Sequence, residues 1–300
     1  PALHLLQNLG YTYLSPREAL ALRGGRADSV LLESVLLDWL ARNNEIQYHG
    51  QRYPFSEANI HTAVQVLKET LSIGLLRTNE SIFDLLSLGK SLPQSVNGNL
   101  KSFSLRYIDW EHPGKNVYHV AEEFAVERRG SHETRRPDLV LFVNGIPFCV
   151  IECKSPDLKD PMTQAISQQI RNQKEDEIPA LFQYAQLLLA VSGNEAKYAT
   201  VGTPAKFWSV WKEEDEAFEK SLKTVVEKPL SRSQIQALYD AFPGKHRMEA
   251  VISLNLPRVV TAQDRAIYSL CRPERLLELA YGFTLFDAGE KKIARYQQYF

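Results

Sequence analysis

Two acids and a lysine stand close together in the run RRPDLVLFVNGIPFCVIECKSP, Arg135 to Pro156: they are Asp138, Glu152 and Lys154. Two carboxylates brought within a few ångströms repel each other unless a cation sits between them, and oxygen ligands with open positions suit magnesium or manganese. Such an ion would polarise a phosphodiester, lower the pKa of a bound water and screen the approach of an anionic nucleic acid to an acidic site. Lys154 would then orient the water or stabilise charge growing on the phosphoryl oxygens. The plainer reading makes the acids ordinary strand-end charges and Lys154 their surface partner. Asp157 with Lys159, and Glu195 with Lys197, give the same acid–any–lysine spacing. Only the first set opens one β-rich run at the aspartate and ends a second at the acid and lysine.

Side chains alternate along a strand, so Glu152 and Lys154 share a face and Cys153 takes the other. Whether Asp138 joins them depends on the turn between the two runs. A two-residue loop at Asn144 and Gly145 sets Asp138 opposite Ile151 and sends the carboxylates to opposite faces. A three-residue loop of Val143, Asn144 and Gly145, with Gly145 left-handed as a bulge, sets Asp138 opposite Val150 and brings all three residues to one face. A shared site therefore requires that bulged turn, or an equivalent bulge elsewhere in the hairpin.

The elements that must position this hairpin can be read from periodicity. ADSVLLESVLLDWLARNN carries capping candidates Asp28 and Ser29 and apolar residues at helical spacing from Leu32 to Leu40, and a second helix follows Ser56. From Phe103 the pattern turns to β, through FSLRYIDW, NVYHVAEEFAVE and the hairpin, which predicts a meander of three successive strands. MTQAISQQIRNQ reads as a helix, AQLLLAVS and YATVGT as strands. From about Ser231 the chain reads as helical through EKKIARYQQYF, with no closing C-cap glycine, as expected if a longer protein continues there. The layout is α/β, a mixed sheet flanked by helices and followed by a mainly helical segment. We divide it at residues 1–230 and 231–300. LGKS at Leu88 to Ser91 resembles the end of a phosphate-binding loop, but the glycine required five residues before Gly89 is Asp84.

At 300 residues and 44% hydrophobic content the chain can bury one large core or two modest ones. A net charge of −1 gives no whole-protein footprint for nucleic acid or an anionic membrane. A local patch would have to come from Arg128, Arg129, Arg135 and Arg136, which taken alone read more often as a solvated face. No apolar run reaches the roughly 18 residues of a membrane span, and PALHLLQNLGYTYL lacks a signal-peptide pattern, so a cytoplasmic protein with no membrane partner is expected. Cys149 and Cys153 on one strand are about 13 Å apart and cannot bridge, and no zinc-type spacing involves them or Cys271. Free thiols are expected.

The run around Asp138, Glu152 and Lys154 resembles the nuclease motif of the restriction (R) subunit of type I restriction-modification enzymes, a branch of the PD-(D/E)xK nucleases. The resemblance continues through AISQQIRNQ, LLLAVSGNEAKYATVGTPAKFWSVWKEE and KKIARYQQYF, covering most of the chain from about Asn116 and, more loosely, the N-terminal helices. It implies a restriction-endonuclease-like fold, with Asp138, Glu152 and the backbone carbonyl of Cys153 as ligands of Mg2+ or Mn2+ and Lys154 as the catalytic lysine. It also implies a glutamine from the following helix, often with a tyrosine four residues on. Gln169 is assigned that role, beside Gln168, and the tyrosine position then holds Gln173. Many nucleases of this fold present a further acid from an N-terminal helix, for which Glu33 is the candidate and Glu123 a weaker one. The resemblance implies cleavage of double-stranded DNA in a complex with methyltransferase (M) and specificity (S) subunits. It further implies ATP use only by a helicase-like motor domain whose motifs these residues lack. A stand-alone nuclease of the same fold, or a degenerate fold that only binds DNA or a partner, are the alternatives.

Overall fold

The apolar runs assemble into a six-stranded sheet in the computed structural model, which describes residues 1–69, 74–213, 215–242, 244–253, 256 and 258–300. The chain enters through helix α1 (Ala2–Asn8), strand β1 (Thr12–Leu14) and helices α2 (Pro16–Ala21) and α3 (Glu33–Asn43). A hairpin of β2 (Glu45–Tyr48) and β3 (Gln51–Pro54) precedes α4 (Glu57–Lys68) and α5 (Leu75–Leu88), and a ribbon of β4 (Lys90–Val96) and β5 (Asn99–Leu105) follows. Next come β6 (Tyr118–Glu122), the short β7 (Val126–Glu127) and β8 (Thr134–Arg135), and the central hairpin of β9 (Leu139–Val143) and β10 (Ile146–Cys153). Helices α6 (Pro161–Asn172) and α7 (Pro179–Phe182) lead to β11 (Leu187–Val191) and β12 (Ala196–Ala199). The remainder is α8 (Glu216–Glu227), α9 (Arg232–Ala241), α10 (Lys245–Ser253), α11 (Ala262–Cys271) and α12 (Pro273–Gly282). The hairpin of β13 (Thr284–Asp287) and β14 (Glu290–Ile293) and the short α13 (Tyr296–Tyr299) close it.

The sheet order is β1-β6-β9-β10-β11-β12, with β1–β6 and β10–β11 parallel and the other pairs antiparallel. Helix α6 covers the face that carries Glu152, through the Gln168 contact described below. On the other face Cys149 lies within hydrogen-bonding reach of Cys271 at the end of α11. Covered on both sides, β9 and β11 are buried at every residue, which is why they read as continuous apolar runs rather than as alternation. All three cysteines are free thiols.

Several expectations are corrected. The three-strand meander begins at β6, not at Phe103: β5 is exposed at most positions, buries only its end at Phe103 and Leu105, and pairs with β4 alone. Asp28 and Ser29 do not cap α3. The buried run Val30–Leu32 packs first, and the helix starts at Glu33 behind Leu32, whose N–H is satisfied by the Gly145 carbonyl at 2.8 Å. The segment read as a C-terminal helix is instead β13–β14 and a short helix, because Ala288 and Gly289 take left-handed conformations (φ 50° and 79°) that close a tight turn. Strands β1 to β4 carry no signal read in the sequence. At Leu88–Ser91 a helix ends at Gly89 and a strand follows, the reverse of a phosphate-binding loop.

The central turn differs from the expected bulged loop. Asn144 and Gly145, at φ 53° and 83°, form a two-residue turn with Ile146 opposite Val143. The bulge lies instead in β10: pairing runs from Pro147–Phe142 to Cys149–Leu141 and leaves Phe148 without a partner. Pro147 has no N–H to continue the ladder, so the irregularity falls beside it. Beyond the bulge Ile151 faces Leu139, and continuing that register aligns Glu152 with Asp138.

The turn is held from both sides. The buried Asn144 amide donates to the Tyr107 carbonyl at 2.9 Å and to Asn116 Oδ1 at 2.8 Å, and its oxygen accepts from Val117 N–H at 2.9 Å. A Cβ on Gly145 would meet the Leu32 carbonyl oxygen at 2.6 Å and the Leu36 nitrogen at 3.0 Å. Gly98 has nearly the same φ, 78°, but open space around it. Gly145→Ala should therefore cost roughly 2–4 kcal/mol in urea unfolding and Gly98→Ala only about 1 kcal/mol; equal costs would show that the α3 contact carries no weight.

Candidate active site at the open end of the central hairpin

Asp138 immediately precedes β9, Glu152 is the penultimate residue of β10, and Lys154 follows the strand end. The structure brings the three together. Lys154 Nζ lies 3.7 Å from Asp138 Oδ2 and 3.6 Å from Glu152 Oε2, and the Cys153 N–H donates to Asp138 Oδ2 at 2.7 Å. The Lys154 N–H donates to the Val191 carbonyl at 2.9 Å, which ties the end of β10 to β11. Solvent reaches the residues unequally: the Asp138 side chain is 35% exposed, that of Lys154 17%, and that of Glu152 not at all.

Glu152 has the most perturbed chemistry. Burial, reinforced by the Asp138 charge and opposed by Lys154, pushes its carboxyl up to about 8. Its Oε2 accepts from Gln168 Nε2 at 2.6 Å, while Oε1 is buried with no hydrogen-bond partner. A buried unpaired oxygen costs about 1–3 kcal/mol, and at a charged group more. That orphaned oxygen and the half-open Asp138 fit a hard divalent cation in their donor chemistry. Among the described residues no set of three His, Cys, Asp or Glu side chains gathers as a ready metal cage. The remaining positions would fall to a backbone carbonyl, such as that of Cys153, and to water.

The other assigned residues lie as follows. Gln169 is fully buried, and its Nε2 donates to the Val150 and Leu189 carbonyls at 3.0 and 3.2 Å, fastening α6 to β10 and β11. It is the adjacent Gln168 that meets Glu152. Four residues on from Gln168 stands the buried Asn172, not Gln173, which spans instead from the Gln169 carbonyl to the Gly202 N–H. Glu33 pairs with Lys68 at 2.7 Å, on the helix that docks at the opposite, turn end of the hairpin. Glu123 takes φ 47° and donates its N–H to the Asp138 carbonyl at 3.0 Å. It lines a cleft of about 400 Å³ with Glu122, Asp138 and Cys153. Glu122 was not singled out in the sequence, although it ends an apolar strand much as Glu152 does. It is buried and accepts the Tyr13 hydroxyl.

The arginine pairs at the hairpin entrance are engaged by acids. Arg135 makes a two-armed contact with the buried Glu177 at 2.6 and 2.9 Å, and Arg128 pairs with Glu133 at 2.7 Å and Glu177 at 3.3 Å. Arg129 reaches Glu175 at 3.3 Å, and Arg136 is 4.0 Å from Glu123.

The raised Glu152 carboxyl sets a pH dependence. The folded, metal-free chain keeps a proton that the unfolded chain releases near pH 4.5, so this contribution is fully present below that pH and is lost as pH rises through about 8. Glu152→Gln should flatten the decline and leave the variant roughly 2–4 kcal/mol more stable than the parent at pH 9. Urea unfolding at pH 5, 7 and 9 with chelator present measures it; parallel pH profiles would mean that Glu152 titrates normally.

Comparison with known proteins shows the family to which the chain belongs. The family model described as Type I restriction enzyme R protein N terminus matches residues 1–207. The putative type I restriction enzyme MjaIXP endonuclease subunit of Methanocaldococcus jannaschii is 29% identical over 306 residues, covering 100% of this chain and 26% of the relative. The type I restriction enzyme HindI endonuclease subunit of Haemophilus influenzae is 25% identical over 303 residues, covering 99% of this chain and 25% of the relative. The chain thus spans about a quarter of the length of these curated relatives. With the family model matched across more than two thirds of its residues, the chain belongs to the type I restriction enzyme R protein N-terminal family.

Proposed function

We propose that this chain is the nuclease portion of a type I restriction enzyme R subunit, hydrolysing phosphodiester bonds in double-stranded DNA with Mg2+ or Mn2+. The observation that carries this reading is the convergence of Asp138, Glu152 and Lys154 at one sheet end, with a buried carboxylate oxygen lacking a partner. Asp138, Glu152 and the Cys153 carbonyl would hold the ion. When bound, it supplies Lewis acidity and a water of lowered pKa.

The chain's own residues supply the rest. Gln168 fixes one oxygen of Glu152 and leaves the other, which has no hydrogen-bond partner, as the one that would ligate the ion. The Cys153 N–H fixes one oxygen of Asp138. Lys154, held between the acids, keeps a positive charge where a scissile phosphate would gain negative charge, the role of a preorganised electrostatic stabiliser. With only 17% of its side chain exposed and both carboxylates beside it, it needs little reorganisation as the reaction proceeds. In this reading the arginines beside the site are committed to acids, and the DNA is delivered by parts of the whole protein beyond this segment. ATP-driven translocation and assembly with methyltransferase and specificity subunits, in the cytoplasm, belong to that whole protein. Support comes from the family membership and from the three quarters of each relative's length that this chain leaves unmatched.

Calorimetry on this chain should show one Mn2+ bound, with affinity reduced about tenfold to a hundredfold in Asp138→Ala. Equal binding by both proteins would place the ion elsewhere. In the complete subunit, Lys154→Ala should lower DNA cleavage by roughly 10²- to 10⁴-fold while ATP hydrolysis and DNA binding persist. Restriction that survives this substitution would overturn the assignment.

A further inference from the structure

Lys291, in β14, is 4% exposed although it is a lysine. Its ammonium donates to Asn79 Oδ1 at 2.7 Å and to Gln186 Oε1 at 2.5 Å, and lies 5.1 Å and 5.7 Å from the ring centres of Phe286 and Phe83. Among the described residues no carboxylate pairs with it. Burial without a counter-ion holds its pKa well below the usual lysine range. A cation kept in such a place has a large desolvation cost, so what it holds together is informative.

Its two acceptors meet on one short piece of chain. Asn79 Nδ2 donates to the carbonyls of Phe182, Gln183 and Ala185, and Gln186 Nε2 to that of Tyr184. These residues carry the chain from α7 into β11. The backbone N–H of Gln186 donates at 2.8 Å to the carbonyl of Phe148, the unpaired residue of the β10 bulge. That bulge is what aligns Glu152 with Asp138; without it, the two-residue turn would send them to opposite faces.

We infer that Lys291 is a positioning residue: from the C-terminal hairpin it clamps Gln186 onto the bulged Phe148 carbonyl and so holds the register of β10 that assembles the acidic site. Lys291 thereby acts on the site from a distance, while Leu238, Ala250, Ser253 and Gln263 of the same C-terminal segment line the cleft beside Asp138. Two further bonds support the docking of this segment. The Tyr198 hydroxyl donates to the Ala294 carbonyl at 2.8 Å, and that of Tyr11 to the Cys271 carbonyl at 2.7 Å.

The inference rests on the metal reading for its consequence but not for its mechanics, and two readouts keep them apart. Lys291→Met in the 300-residue chain removes the ammonium and keeps the apolar stem. Lys292→Met, on the neighbouring position whose ammonium pairs with Asp287 at the surface, is the control. Hydrogen exchange by NMR without metal should show the Gln186 and Cys149 to Cys153 amides exchanging about tenfold faster in Lys291→Met and unchanged in the control. Manganese affinity by calorimetry should fall about tenfold in the same variant. If Lys291→Met does not fold, Gln186→Leu, which removes the clamped side chain but keeps the backbone N–H, is read in the same way. Unchanged exchange would overturn the inference whatever the metal does. Faster exchange with unchanged manganese affinity would overturn the link to the acidic site. Faster exchange in a protein whose parent binds no manganese would uphold the clamp and count against the metal reading alone.

Discussion

Because side chains alternate along a strand, one unpaired residue turns everything beyond it over with respect to the neighbouring strand. In β10 that residue is Phe148, and the segment turned over carries Glu152. The two-residue turn at Asn144 and Gly145, the α3 start docked on it and the missing N–H of Pro147 all bear on where the extra residue falls. The chemistry at one end of the hairpin is thus set by packing near the other, about 20 Å away at ~3.3 Å per residue.

Burial of Glu152 is the energetic counterpart of that geometry. A carboxyl at the end of a fully covered strand loses its water, and Lys154 and Gln168 compensate only part of the loss. The remaining oxygen is left without a partner, a cost that a structural ion pair would not need to retain. An unpaired buried oxygen beside a displaced pKa is in keeping with the tendency of functional groups to have perturbed titration.

Charge around the site is arranged for structure more than for attraction. Arg128, Arg129 and Arg135 are engaged by the loop Glu175–Glu177, and the chain as a whole is near neutral. Exposed pairs of this sort contribute little each, but the two-armed Arg135 contact with a buried Glu177 orients the approach to Asp138.

The sequence by itself determined the acidic hairpin, the helix that follows it, the flanking strands and the mixed α/β class, because periodicity and turn residues are local properties of the chain. It also required a bulge, since without one the two acids could not share a face. Only the tertiary structure decided that the bulge sits at Phe148, that Gln168 rather than Gln169 meets Glu152, and that Glu122 joins Asp138 in one cleft. Neighbouring glutamines on a helix point about 100° apart, so the choice between them depends on how α6 is rotated against the sheet. The partner of strand β5 and the C-terminal hairpin are not legible in the sequence for a related reason: a mostly exposed ribbon and a tight Ala288–Gly289 turn have local patterns that fit more than one partner. Which partner wins is a matter of what distant residues leave exposed, and no window of sequence contains that information.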